Sequence, residues 1–318
     1  MKDICNDIRN AGFEPAIWLA PFIASPKSRL LKEHPDYFIK GENGKPLCSG
    51  DVSFGGWRDG PWYMLDGTNP AARQYIYDVV REIYINWGVR YFKLDANVWG
   101  ALPFGVRYDK SKTAVEAYRL GMDAVFSATD NNAFILGCNA PMWPSLGAVT
   151  AMRVTNDVIR KVKHMASLSE QCFNRNWMHK TLWINDPDCL IMSNTVSPVM
   201  DPAGITHKSH IRKTFYKLNN IYIRASGGIV LSGDYVNKYG KTELDRLQRI
   251  LDTDYTAARF DDSLEIGKTE SETGIEYFIF NRSRFLKKYS IPIPDGYSAT
   301  DMYNYKTLAV KNGTVSLY

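Results

Sequence analysis

No run of the chain approaches the roughly 20 apolar residues that a membrane-spanning helix requires, and the opening MKDICNDIRN lacks the apolar core of a secretory leader. These absences read as a soluble, unexported, cytoplasmic protein without a membrane partner. Cysteine is scarce: Cys5, Cys48, Cys138, Cys172 and Cys189 are odd in number and show no C-x-x-C spacing. That excludes a disulfide framework and a zinc cluster. Only five histidines occur, and although His207 and His210 share a helical spacing, nothing nearby supplies a third ligand, so no metal site is expected. The signatures G-x-S-x-G, G-x-x-x-x-G-K-[ST], H-E-x-x-H and G-x-G-x-x-G are all missing, which lowers serine hydrolase, nucleotide-binding and zinc protease chemistry. The charge excess is 39 − 34 = +5 and scattered, so no nucleic-acid footprint stands out.

What is present suffices for one large core and an accessory domain: 318 residues, 45% apolar and 23% charged. Pro15 to Ala20 is a short continuous apolar run, expected to be a strand buried on both faces. Asn69-Pro70 then supplies a helix cap with proline at the first helical position. Ile76, Val79, Val80, Ile83 and Trp87 recur at helical spacing until Gly88. The rhythm repeats with strands over 89–94, 133–137, 149–154, 181–184 and 228–232, and helices over 112–128, 158–173, 206–222 and 241–258. Asp95, Asn139, Asp157, Asp186 and Asp234 follow the apolar strands directly or within a few residues. Polar residues collected at the C-terminal strand ends favour a (β/α)8-type TIM barrel over a doubly wound sheet. From about 262 the pattern changes to short alternating runs broken by turns, a small antiparallel β domain. The expected organisation is therefore a barrel domain over 1–260, with six βα units, and a β domain over 261–318.

Three segments carry chemistry. In Tyr91-Phe-Lys-Leu-Asp95, strand alternation places Lys93 and Asp95 on one face; an ordinary strand-end salt bridge is the plainer alternative. In Met152-Arg-Val-Thr-Asn-Asp157, an arginine precedes an aspartate by four. Two βα units separate that aspartate from Asp95, a placement that lets two carboxylates flank a glycosidic bond across a barrel mouth. A helix N-cap is the competing reading of Asp157. In Leu182-Trp-Ile-Asn-Asp-Pro-Asp-Cys-Leu190, Pro187 fixes the backbone between two carboxylates, as a pocket wall or as a capped turn. Trp18, Trp99, Trp143 and Trp183 lie near strand ends, where flat rings suit sugar faces, although burial in the core is the commoner fate of any one of them.

YFKLD, GCNAPMWPSLG, MRVTND and WINDPDCL, in this order over roughly residues 12–235, resemble the melibiase group, the retaining α-galactosidases of glycoside hydrolase families 36 and 27. The resemblance implies that Asp95 is the nucleophile, Asp157 the acid/base, and that Lys93, Arg153 and Asp188 contact the sugar or the carboxylates. It implies no cofactor and a carbohydrate partner, an α-galactoside oligosaccharide or glycoconjugate. By the same match YFKLD is barrel strand four. The strand ending at Ala20 is then strand three, and the six units are strands three to eight, with no counterpart of strands one and two or of the family 36 N-terminal β domain. Such an arc is expected to expose two sheet edges and to be unstable or to associate, for example as a homo-oligomer. The 2-substituent of the sugar is selected after strand five, here Cys138-Asn139-Ala-Pro-Met-Trp143, which matches neither the galactose nor the N-acetylgalactosamine version. The substrate order is accordingly α-galactoside, α-N-acetylgalactosaminide, α-glucoside. Trp183 is expected in the same pocket. A transglycosidase and a non-catalytic sugar-binding remnant are the rivals.

Overall fold

The computed structural model describes residues 1–57, 59–192, 199–200, 206–207, 213–252, 254–272 and 274–318. They form two compact units, the first built chiefly from Met1–Ile159 and Met178–Asp188, the second from Arg160–Trp177 and most of the chain after Cys189.

The first unit is organised by a five-stranded parallel sheet whose strands follow one another in chain order: Ala16–Leu19, Tyr91–Leu94, Phe134–Gly137, Ala151–Arg153 and Ile184–Asp186. Consecutive neighbours joined by crossovers are the geometry of a barrel arc. Helix Pro70–Asn86 starts as its sequence dictates, with the Asn69 side chain accepting the Ala71 N–H at 2.9 Å and proline at the first position. Helix Ala114–Ala128 carries a reciprocal capping box between Thr113 and Glu116. Ile76, Val80 and Ile83 from one helix and Met122 and Val125 from the other close on Phe92, Leu94 and Ile135. This covers the face of the sheet that carries Phe92 and Leu94. Gly100 and Gly121 admit Phe22 to this core, since a Cβ at either would strike its ring.

Three expectations shift. The first strand alternates exposed and half-buried positions instead of being buried on both faces, because it is an edge of the five-stranded sheet. The strand expected over 181–184 lies at Ile184–Asp186, because Asn185 and Asp186 extend the sheet although polar: the Asn185 N–H donates to His179 Nδ1 at 3.2 Å. The last helix stops at Leu251, short of 258.

In the second unit, helix Val162–Phe173 packs on helix Lys213–Ser226. Asn176 ties the end of the latter down by donating to Ala225 O at 3.0 Å and Ala258 O at 2.9 Å. The sixth apolar run contributes only Leu231–Ser232, paired in parallel with Cys189–Leu190. A buried ion pair, Arg160–Asp234 at 2.6 Å, is completed by the Tyr239 hydroxyl and the Met192 N–H donating to the carboxylate. The C-terminal segment is antiparallel β, with a hairpin of Ile266–Ser271 and Gly274–Ile279 and paired strands Tyr289–Pro292 and Thr314–Leu317. Phe260 and Phe280 from this segment pack on Phe173. None of the five cysteines forms a disulfide. No helix among the described residues is long and apolar enough to cross a membrane. His210 lies outside the described residues.

Candidate active site

Strand Tyr91–Leu94 alternates as its sequence requires: Phe92 and Leu94 are buried, Lys93 and Asp95 half-buried. The ladder continues one residue beyond the strand, the Asp95 N–H donating to Leu19 O at 2.8 Å, so the carboxylate leaves from a backbone fixed on both sides. Parallel register sets Trp18 opposite Lys93, and the Trp18 indole Nε1–H donates to Asp95 Oδ2 at 3.0 Å. The other oxygen, Oδ1, accepts the Ala96 N–H at 2.7 Å. Ala96 is held at φ 55°, a left-handed conformation costing a non-glycine residue about 1–2 kcal/mol. Asn139, at φ 43°, and Asp188, at φ 73°, make the same kind of turn after their strands. Strained backbone is thus repeated at three strand ends on one side of the sheet.

The second carboxylate station is built on Arg153, whose side chain is only 4% exposed. Its Nη2 reaches Asp157 Oδ1 at 2.7 Å and Asp188 Oδ2 at 2.6 Å, and its Nη1 lies 3.8 Å from Cys138 Sγ. Asp188 also accepts the Val158 N–H, so one buried carboxylate anchors both the arginine and the loop that carries Asp157. Asp157 itself is 89% exposed. It is not a helix cap: the following helix starts at Val162 and its N-cap is Lys161. Burial alone would lower the Arg153 pKa, but the charges of Asp188 and Asp186 outweigh it and hold the guanidinium above its ordinary value.

Cys138 is a neutral thiol, pushed up to about 12 by burial and then by the Asp95 charge. Asp186 is fully buried. Its Oδ1 accepts the Asp188 N–H at 2.8 Å, whereas its Oδ2 meets no donor among the described residues. Burial raises its pKa against the opposing pull of Arg153 and, more weakly, Lys93.

Among the sequence candidates, the structure therefore joins Arg153, Asp157, Asp188 and Cys138 directly and places Lys93 and Asp95 on the same sheet. Asn139 and Trp143 are exposed in the segment after the third strand. Trp183, 4% exposed, packs in the hydrophobic core cluster, with its backbone in the turn through which Lys180 N–H donates to Trp183 O. Trp99 is core as well. Two features escaped the sequence. The Trp18–Asp95 bond was hinted at by an aromatic at a strand end, but its partner depends on register. Asp186 reads as a loop residue until the strand is extended through it. A cavity of about 650 Å³ lies elsewhere, lined by Thr68, Arg73, Tyr108, Asp109, Lys110 and Lys112 among others, and holds none of these residues.

Residues 1–135 match the melibiase family model, a span that includes Lys93 and Asp95 and ends before Cys138. Among solved structures, an α-galactosidase from Thermus thermophilus, in complex with p-nitrophenyl α-D-galactopyranoside, is similar at a TM-score of 0.65 and 21% identity, over 88% of this chain and 54% of its own. A β-L-arabinopyranosidase of glycoside hydrolase family 27 from Geobacillus stearothermophilus is similar at a TM-score of 0.70 and 15% identity, over 99% and 73%. A family 36 α-galactosidase from the same organism gives 0.57 and 14%, over 99% and 45%. These likenesses are of fold, that of the TIM-barrel glycosidases. The chain spans about half the length of the Thermus protein.

Proposed function

We propose that the protein is a retaining glycoside hydrolase that removes terminal α-galactosyl units, with Asp95 as nucleophile and Asp157 as acid/base. The observation that carries this reading is the contrast between the two carboxylates. One is pinned at a strand end by an indole and a backbone amide; the other is solvent-facing and steadied by a buried arginine. In the first step Asp95 attacks the anomeric carbon as the glycosidic C–O bond breaks and Asp157 gives its proton to the leaving oxygen. In the second, Asp157 takes a proton from water, which attacks the same carbon and expels Asp95. Two displacements at one carbon retain its configuration. Exposure suits Asp157 to its part, since it must exchange protons with water once per cycle.

Lys93 and Arg153 supply positive charge beside the reacting groups, and Asp188 holds Arg153. Cys138, Asn139 and Trp143 line the side facing the sugar's 2-substituent. The cycle needs no metal and no organic cofactor. The melibiase match and the α-galactosidases among the structural neighbours support the substrate class. The test is hydrolysis of p-nitrophenyl α-galactoside followed by NMR. The α-anomer of galactose as first product, with turnover lost in Asp95→Asn, is expected; the β-anomer, or near-normal turnover in that variant, would overturn the reading.

A further inference from the structure

The loop 281–288, Asn-Arg-Ser-Arg-Phe-Leu-Lys-Lys, leads from strand Gly274–Ile279 to strand Tyr289–Pro292 and carries four cations and no acidic residue. At its middle stand Phe285 and Leu286, 81% and 79% exposed, the most exposed large apolar side chains among the described residues. Single exposed apolar residues are ordinary; an adjacent pair at one loop tip is a candidate contact surface.

Hydrogen bonds hold the tip in place. Asn281 Nδ2 donates to Phe285 O at 2.9 Å, Asn281 Oδ1 accepts the Ser283 N–H at 2.9 Å, and Ser283 Oγ accepts the Phe285 N–H at 3.0 Å. The flanks are anchored inward. Arg282 donates through Nε to Leu264 O at 3.0 Å and through Nη2 to Ser169 Oγ at 3.4 Å, with its guanidinium 5.6 Å from the centre of the Phe173 ring. The Arg282 N–H and the Lys287 ammonium both donate to Glu265, which is itself buried. Two of the four cations are thus engaged by the protein. Arg284 and Lys288 stay exposed on either side of the apolar pair. Pairing of Tyr289 with Leu317 brings the exposed Tyr318 alongside, its ring centre 5.9 Å from Lys288 Nζ.

An apolar tip inside a basic collar selects its partner twice over. Two side chains fall far short of the roughly 800 Å² that each partner contributes to a stable protein interface. A bilayer boundary takes up a projecting tip without a matching cleft, and anionic headgroups complement Arg284 and Lys288. A tyrosine beside the tip suits the headgroup level. Because the loop is already fixed, little ordering remains to oppose insertion.

We propose that the 281–288 loop docks reversibly on an anionic lipid surface, with Phe285 and Leu286 entering between the headgroups and Arg284 and Lys288 meeting their charges. The contact is peripheral, and one apolar tip with two cations makes it weak and salt-sensitive. It is independent of the hydrolase reading, since none of these residues belongs to the Asp95 or Asp157 station. The test is co-sedimentation of the full chain with vesicles of phosphatidylcholine alone and of phosphatidylcholine mixed equally with phosphatidylglycerol. Binding to the mixed vesicles only, falling steeply as salt is raised, is expected. Phe285→Ser should lower partitioning about tenfold, and Arg284→Gln and Lys288→Gln about fivefold each. Thermal unfolding should barely change in these variants, because all three side chains face solvent. Phe285→Trp should bind like the parent and add an emission that brominated lipid quenches. Failure to bind the mixed vesicles would overturn the proposal. So would binding that Phe285→Ser leaves intact, which would reduce the attraction to the chain's net charge of +5. Equal binding to neutral and mixed vesicles would remove the anionic surface as the partner. Self-association in light scattering that Phe285→Ser abolishes, without vesicle binding, would assign the tip to a contact between copies instead.

Discussion

The Asp95 and Asp157 stations solve opposite positioning problems on one sheet. Asp95 extends a hydrogen-bonded strand, both of its oxygens accept donors, and the next residue is strained into a left-handed turn. Asp157 lies four residues past its strand, almost wholly solvated, and depends on an arginine that is itself held by the buried carboxylate of Asp188. A nucleophile must lie on a fixed line to one carbon, which rewards rigidity in the carboxylate itself. An acid/base must reach an oxygen, release its proton and recover another, which rewards a rigid base under a solvated tip. On the proposed roles, the rigidity at each station is similar; what differs is whether it is placed in the reacting group or one residue beneath it.

The sharpest way to break this comparison is to remove each carboxylate and supply azide. Asp95→Ala is expected to lower turnover by about 10⁴-fold or more whatever the leaving group, and azide entering from the vacated side should give the β-galactosyl azide. Asp157→Ala is expected to cost about 10²–10⁴-fold on alkyl galactosides and distinctly less on p-nitrophenyl galactoside, whose leaving group departs unprotonated. Azide should here give the α-azide, because it intercepts the glycosyl-enzyme. Products assigned by NMR decide the matter; the same azide from both variants would dissolve the distinction between the stations.

The base under Asp157 is the next target. Arg153→Met leaves Asp188 and Asp186 buried without their cation, a change that typically destabilises by about 3–5 kcal/mol. Thermal unfolding should show a large drop in Tm. By contrast, Trp18→Phe removes one hydrogen bond from a half-exposed edge residue, so the Tm should hold. kcat/KM should fall roughly tenfold, since a hydrogen bond to a charged group is worth about 1.5–3 kcal/mol. A Trp18→Phe enzyme with unaltered kcat/KM would remove the indole from the account of Asp95.

The same contrast explains how far the sequence could be read. The K-x-D alternation and the Asn69-Pro70 helix start depend on neighbours along the chain, and the strand and helix appear where those signals place them. Arg153 and Asp157 are likewise four residues apart, and the bond between them is local. Trp18–Asp95 spans 77 positions and exists only through the register of two strands. For Trp183 and Asp186, whether a strand-end residue faces core or mouth depends on where the strand stops, and the polar Asn185-Asp186 pair disguises that end. Local chemistry was legible; the partner across the sheet was not.

Asp186 gives the smallest effect, and the one that most sharpens the picture of the buried base. Its raised pKa means that the folded chain holds a proton the unfolded chain releases. Below the ordinary aspartate pKa, near 3.9, the group is protonated in both states and contributes nothing to the pH slope. Above it the unfolded state ionises first, so fewer protons are bound there, and stability falls as pH rises until the folded pKa is passed. Arg153 and Lys93 oppose this by favouring the carboxylate, while Asp188 reinforces it; burial is the largest influence and sets the direction. Asp186→Asn keeps the oxygen that accepts the Asp188 N–H and cannot titrate, so the Tm of the variant should gain on that of the parent as pH rises above about 4, until the folded pKa is passed. The gain is limited to about 1.4 kcal/mol per pH unit. Parallel Tm curves in scanning calorimetry would mean that Arg153 and Lys93 already keep Asp186 ionised, and Arg153 would then rest on two buried negative charges instead of one.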